Sequence, residues 1–179
     1  MLASGMSVQF FPLFFWRSVN LSPTGVYLVA ALSFAAVTPM ALAAQRASLC
    51  LGRVCVSVLY NLCGVSLLLL MAYWRELELP HALVSVAYVF RTGFMNSTGG
   101  LVASILNDHV PKAQRARWNV LDSFKRASWS GSSVLGGVLI ERIGYEHMFL
   151  VTASMQVLAS LLLLPLLRIV RAEKGARRG

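Results

Sequence analysis

An arginine lies in the middle of a long apolar stretch of this chain. Arg91 is the one Lys, Arg, Asp or Glu residue between Pro80 and Asn107. A guanidinium among apolar side chains is costly unless an anion, a second charge or hydrogen-bond acceptors partner it. Arg91 is therefore predicted to bind an anionic group or a charged partner from outside its helix. The alternative is a permanent hydrogen bond to helix carbonyls or to a neighbouring helix.

Polar residues accompany Arg91 on one side of the predicted helix. On a helical wheel, one sector contains Ser85, Tyr88, Arg91, Thr92, Asn96 and Gly99. Hydroxyl and amide groups placed in this way can hydrogen-bond beside the charged group. We interpret the sector as the lining of a cavity, with Arg91 contacting an anion and Tyr88, Thr92 and Asn96 bonding nearby.

Two isolated amides are weaker candidates for the same cavity. Gln9 lies in the first apolar segment of the chain, and Asn61 lies in the middle of the third. A lone amide in a membrane helix commonly joins two helices by a hydrogen bond. Helix association is therefore the alternative role for both residues.

A charged cluster follows the run that contains Arg91. Asp108, Arg115 and Arg117 surround Pro111 in a short polar gap. A carboxylate and two guanidiniums can form an ion-pair latch that breaks when a cavity changes the side to which it opens. The alternative is an orientation signal combined with a helix break at the proline.

The stretch after this gap is rich in small residues. Asp122 and Arg126 are four positions apart, so they can pair on one face at the membrane edge. A ridge of the same spacing follows, with two glycines beside it, and small residues of this kind let two helices approach closely. We predict that helix packing involves Ser128, Gly131, Ser132, Gly136 and Gly137.

Long apolar runs separated by short basic gaps dominate the sequence. Hydrophobic residues make up 57% of the 179 residues and charged residues only 13%. Because a helix of about 20 residues crosses the hydrocarbon of a bilayer, we predict an all-α membrane protein with a bundle of six transmembrane helices. The first segment is too short for a full span, which predicts a helix whose start is missing. The predicted spans are 1–16 (partial), 23–44, 54–74, 80–107, 119–140 and 148–167, followed by a basic cytoplasmic tail, 168–179.

The basic residues predict the orientation of these spans. One set of alternate gaps, together with the tail, contains ten basic residues: Arg46, Arg53, Lys112, Arg115, Arg117, Arg168, Arg171, Lys174, Arg177 and Arg178. The opposite gaps contain three: Arg17, Arg75 and Arg142. Short cytoplasmic loops collect Lys and Arg, so both termini are predicted to be cytoplasmic in a multi-pass integral membrane protein.

Three sequence segments resemble one protein family. YVFRTGFMNSTGG, SILNDHVPKAQRARWNVLDS and SWSGSSVLGGVLIERIGY are similar to the tenth helix, the following loop and the eleventh helix of major facilitator superfamily transporters. The segment GMSVQFFPLFF resembles the outer end of the seventh helix in the same superfamily. The resemblance implies half of a major facilitator fold, with a truncated seventh helix and a missing N-terminal half of six helices as its partner.

The same resemblance implies transmembrane solute transport by alternating access, and slightly favours a gating role for the Asp108 cluster. The charge of Arg91 favours a small-molecule solute of anionic character. The alternative function is a non-transporting six-helix membrane scaffold or assembly partner, in which Arg91 is paired internally.

Several other classes of function are disfavoured. The net charge of +9 lies in gaps between apolar runs and not on one soluble surface, so we predict no nucleic-acid partner. No nucleophile elbow or phosphate-binding loop is present, and the three histidines are far apart, so we predict no enzyme activity. The three cysteines lack metal-ligand spacing, and no cofactor is expected.

Overall fold

The computed structural model describes the backbone of residues 2–109 and 115–176, with side chains over 4–105 and, with gaps, over 120–162. Every regular element in this part of the chain is a helix, which confirms the prediction of an all-helical chain for the described residues. The helices are α1 (Leu2–Val8), α2 (Phe11–Arg17), α3 (Pro23–Leu51), α4 (Arg53–Ala72), α5 (His81–Ser97), α6 (Gly99–His109) and α7 (Arg115–Ala176).

The first segment forms two short helices rather than one partial helix over 1–16. Helix α1 ends at Val8 and α2 begins at Phe11, with Gln9 and Phe10 between them. Pro12 causes the break because it has no N–H to donate to the carbonyl of Val8. Within α2, the same proline stands in the first turn, where that N–H is not needed.

Helix α3 has a chemically defined start and end. The Ser22 hydroxyl caps its first turn by accepting from the backbone N–H of Gly25 at 3.2 Å. The helix continues past its predicted end at residue 44, because Gln45 and Arg46 are compatible with helical backbone. It stops at Gly52, whose φ of 92° glycine adopts readily.

Among the described residues, two helices, α3 and α4, are long and apolar enough to cross a membrane. In its most apolar 18-residue stretch, α3 has only 11% of its residues buried, whereas the corresponding stretch of α4 has 44%. The difference arises because α4 is central and packs against α3, α5, α6 and α7. Helix α3 therefore presents most of its apolar surface outward.

The predicted span 80–107 is interrupted in the structure. Helix α5 ends at Ser97, and α6 begins at Gly99. The Ser97 hydroxyl bonds to the carbonyl of Phe94 at 3.1 Å, and two adjacent glycines follow, each costing a helix about 1 kcal/mol relative to alanine. These local preferences account for the break at Thr98.

Helix α7 is divided at Gly144, whose φ of 80° and ψ of 173° are not helical. We call residues 115–143 its first arm and residues 145–176 its second arm. The corresponding predicted spans were 119–140 and 148–167, with a loop between them. Glycine permits the positive φ at which the two arms separate.

The largest buried cluster is aromatic. Phe11 stacks on Phe149 with ring centroids 5.1 Å apart, and Phe14 meets both Phe149 and Trp74 edge-on at 5.0 and 6.2 Å. Offset and edge-on pairs of this kind add to the free energy gained from burial. The cluster joins α2, the end of α4 and the second arm of α7.

Candidate functional site

Arg91 is inside the bundle. It lies in the middle of α5, and only 2% of its surface is exposed. Its guanidinium carbon is 4.8 Å from the centroid of the Phe11 ring, which covers one face of the charged group. The Nε atom is buried and has no hydrogen-bond partner among the described residues. The sector predicted to face a cavity therefore places its charged residue at a packed helix interface.

The contacts of Arg91 do not offset the cost of burying its charge. A desolvated cation–π contact contributes about 2 kcal/mol, whereas a buried charge without an anionic partner costs several kcal/mol. Within the described part of the chain, Glu146 pairs with Arg75, and no carboxylate pairs with Arg91. The described interior holds an excess positive charge.

Further aromatic rings, from α2, α5 and the second arm of α7, pack around the Phe11–Arg91 contact. Tyr88, one turn before Arg91, packs against Phe11 at 4.7 Å and against Phe15 at 5.1 Å between centroids. Phe149 of the second arm also stacks on Phe11. Tyr88 is half-buried, so this predicted site residue is part of the aromatic wall beside the guanidinium.

Thr92 and Asn96 differ in exposure. Thr92 is buried, and its hydroxyl oxygen has no partner in the described structure. The Asn96 side-chain amide donates to the backbone carbonyl of Thr92 at 2.9 Å, while Asn96 itself is exposed on the bundle surface. Arg91 and Thr92 each place an unpaired polar atom inside the bundle, whereas Asn96 lies on its surface.

The two isolated amides are separate from this pair. Gln9 is exposed in the link between α1 and α2, and Asn61 is half-buried in α4. Tyr60 meets Phe94 edge-on at 5.1 Å, which places Asn61 about one turn from the level of Arg91. Among the described residues, no hydrogen bond joins either amide to Arg91.

The predicted gating residues lie outside the described side chains. Asp108 is near the end of α6, and Arg115 and Arg117 are in the first turn of α7. Their contacts are therefore not described, and the gating hypothesis stays a prediction.

Some of the small residues predicted for packing lie against α1. A methyl group added to Gly136 would overlap the backbone of Met6, and one added to Gly5 would overlap the carbonyl of Trp129 and the Ser132 hydroxyl. A methyl group on Gly137 would make ordinary contact with the Phe10 ring. These contacts run in the same direction along both segments, so α1 is parallel to the first arm.

The remaining two small residues are placed differently. Gly131 is exposed, and a methyl group there would meet no atom of the described structure within 4 Å. Ser128 is half-buried, and no contact with α1 defines its role. Gly131 therefore makes no close helix approach within the described residues.

Sequence reasoning missed a buried polar contact between α1 and the second arm. The Gln156 amide donates to the Ser4 hydroxyl at 3.4 Å, and the Gln156 carbonyl oxygen has no partner in the described structure. Ser7, one turn after Ser4, is also fully buried with an unpaired hydroxyl. The sequence signal was present, because Thr152, Gln156 and Ser160 recur every four residues in an otherwise apolar run.

Three predicted loops meet at one end of the bundle. Arg75 pairs with Glu146 at 3.2 Å, and a cavity of about 150 Å³ between them is also lined by Ser18 and Tyr145. These residues belong to the three gaps predicted to share one side of a membrane. Among the described residues, no group of three or more His, Cys, Asp or Glu could hold a metal ion.

Comparisons with protein-family models, with curated proteins and with solved structures find no match to this chain.

Proposed function

We propose that this chain forms one six-helix half of a secondary transporter of the major facilitator superfamily, which moves a small solute across a membrane by alternating access. The observation that carries the proposal is Arg91, a buried charge without an anionic partner in the described interior. Within membrane helices, such charges mark substrate pathways, because the free-energy cost of burying a charge is tolerated only where function requires the charge.

The distribution of polar and apolar residues on α3 supports a bilayer environment. Two of its four buried residues are Ser33 and Ser48, whereas Tyr27, Phe34 and Leu49 are 76%, 72% and 80% exposed. A soluble protein rarely leaves so much contiguous apolar surface in water. In lipid, the exposed rings and leucines are solvated by acyl chains.

The second arm of α7 has the same inverted arrangement. Thr152, Gln156 and Ser160 are buried, while Leu158 and Leu162 are exposed. Polar side chains at a helix interface and apolar ones outside are typical of helices that associate within a membrane. This arm supports a further span in addition to α3 and α4.

The depth of Arg91 supports a site near the middle of the bilayer. Ten residues separate it from the start of α5 at His81. At about 1.5 Å per residue this is roughly 15 Å, half of a hydrocarbon layer about 30 Å thick. Gln9, two residues before Phe11, is exposed near the same level, where lipid would leave its amide unpaired.

An exposed amide at this depth favours a water-filled cavity or a second bundle over lipid. We therefore propose that a second six-helix bundle covers this face and that the solute passes between the two halves. Three loops meet at one end of the bundle, where Ser18, Arg75 and Glu146 line one cavity and Arg75 pairs with Glu146. This supports the proposed topology, in which the three loops share the non-cytoplasmic side.

The test is uptake by cells that express the protein as its own gene encodes it. A panel of radiolabelled anionic, neutral and cationic solutes is supplied to cells with and without the protein. We expect accumulation of at least one solute, and loss of that accumulation in Arg91→Ala at equal surface abundance. Arg75→Ala, which removes an exposed arginine at the bundle end, is the matched control and should retain uptake.

Two outcomes would refute parts of this proposal. Absence of accumulation for the whole panel would reject transport of these solute classes. Unchanged uptake of every accepted solute by Arg91→Ala would reject Arg91 as the substrate site.

A scaffold or assembly partner is the second candidate, and one observation favours it. The Arg91 guanidinium already packs against the Phe11 ring inside the bundle, an internal contact that requires no solute. A scaffold should be stable by itself, so the purified 179-residue chain should give one monodisperse species in detergent. Aggregation of the purified chain would favour a transporter half that needs its partner.

A further inference from the structure

The counter-ion of Arg91 has no source among the described acidic residues. Glu76 and Glu78 are exposed in the loop after α4, Glu141 is exposed near the end of the first arm, and Glu146 pairs with Arg75. All of these carboxylates are near one end of the bundle, away from the middle of α5. An anion that neutralises Arg91 must therefore come from elsewhere.

The side chains around Arg91 indicate which other chemical groups such an anion contains. The guanidinium is covered by the Phe11 ring, with Tyr88 and Phe149 packed against that ring at 4.7 and 5.1 Å. On α5, the buried side-chain atoms without a hydrogen-bond partner in the described structure are the Arg91 Nε and the Thr92 hydroxyl oxygen. One charge and one hydroxyl suit a single carboxylate, and the rings suit an aromatic body.

The position of Phe11 indicates how such a molecule would fit. Phe11 is the first residue of α2 and directly follows the non-helical link at Gln9 and Phe10. Its ring lies on the guanidinium face and packs against Tyr88 and Phe149, which is where the ring of an aryl carboxylate would lie. Phe11 therefore occupies the aromatic subsite in this structure.

We propose that the solute is a singly charged aromatic anion of the aryl carboxylate class, and this rests on the proposed transport function. Its carboxylate binds Arg91 and the Thr92 hydroxyl, and its ring replaces Phe11 against Tyr88 and Phe149. A second carboxylate would be left without a cation among these rings, so dianions are excluded.

The first experiment uses the unmutated full-length protein, so it does not depend on the folding of a variant. Binding of benzoate, acetate, benzyl alcohol and terephthalate is measured by calorimetry on the purified protein in detergent. We expect benzoate to bind at least tenfold more tightly than each of the other three. Acetate lacks the ring, benzyl alcohol lacks the charge, and terephthalate has a second charge. Equal binding of benzoate and acetate, or of benzoate and benzyl alcohol, would overturn the proposal.

A second experiment tests the role of Phe11. In Phe11→Leu the guanidinium loses the ring that competes with benzoate, so benzoate should bind about 3- to 10-fold more tightly. Phe34→Leu makes the same change at an exposed ring on α3 and should leave benzoate binding unchanged. Equal benzoate affinity in Phe11→Leu, Phe34→Leu and the unmutated protein would refute the assignment of Phe11 to the subsite.

The two proposals fail in different ways. Benzoate binding without uptake of any solute would leave this site intact and reject transport. Uptake of a neutral or cationic solute by a protein that neither binds benzoate nor is inhibited by it would leave transport intact and reject the aromatic anion.

Discussion

Replacing Gly136 by alanine tests the contact between α1 and the first arm of α7. The added methyl group would overlap the carbonyl and Cα of Met6, which are backbone atoms and cannot turn aside. The two helices must therefore separate. Overpacking of this kind costs about 1–3 kcal/mol.

Gly131→Ala is the matched control on the same arm. Its methyl group meets nothing within 4 Å in the described structure. Both substitutions gain about 1 kcal/mol of helix propensity, so this contribution cancels when the two variants are compared. The difference between them isolates the packing cost, and we expect Gly136→Ala to be less stable than Gly131→Ala by about 1–3 kcal/mol.

The assay is thermal denaturation of the purified chain in one detergent, followed by circular dichroism. For chains of this size 1 kcal/mol shifts the melting temperature by about 2–4 °C, so the two variants should differ by roughly 2–12 °C. Gly5→Ala, which overlaps Trp129 and Ser132 from the other helix, should be destabilised as Gly136→Ala is. Equal melting temperatures of the Gly136 and Gly131 variants would refute the close approach of these helices.

Three further predictions concern the ends of helices. Cys50 is exposed at the end of α3, so a membrane-impermeant maleimide should label it from the cytoplasmic side. The cysteine introduced by Glu76→Cys should be labelled only from the opposite side. Labelling of both cysteines from one side would contradict the predicted topology. Ser22→Ala removes the helix cap, and chemical denaturation should show a loss of about 1 kcal/mol in unfolding free energy. Arg75→Ala breaks a partly exposed ion pair with Glu146, and the same measurement should show a change of at most about 1 kcal/mol; a larger loss would show that the pair is better shielded from solvent than its exposure indicates.

Features decided by local chemistry could be predicted from the sequence. Ser22 followed by Pro23 indicates a helix start, and α3 begins at Pro23 in the structure. Both signals are local, because the serine hydroxyl caps the first turn and the proline is in that turn. The loop predicted between residues 140 and 148 contains Gly144, where helical backbone is interrupted. The end of α3 was less predictable. Polar residues such as Gln45 and Arg46 mark a change of environment and do not by themselves stop a helix.

Features that depend on tertiary contacts could not be predicted in this way. The helical wheel put Arg91 and Asn96 in one polar sector, but it could not show that Phe11 covers the first while the second is exposed. Likewise, the small residues around Gly136 predicted close packing without indicating which helix would approach. The partner, α1, is distant in sequence, and a single sequence contains no signal that pairs the two.

The placement of α1 has a consequence for how the chain is assembled during synthesis. Residues 2–17 leave the ribosome well before residues 115–162, yet the contacts from Ser4 to Gln156 and from Phe11 to Phe149 join these two ends. The early segment must remain without these contacts until the second arm of α7 is made. Because long-range contacts of this kind form slowly, chaperones and quality control have their longest access to the aromatic cluster during that interval.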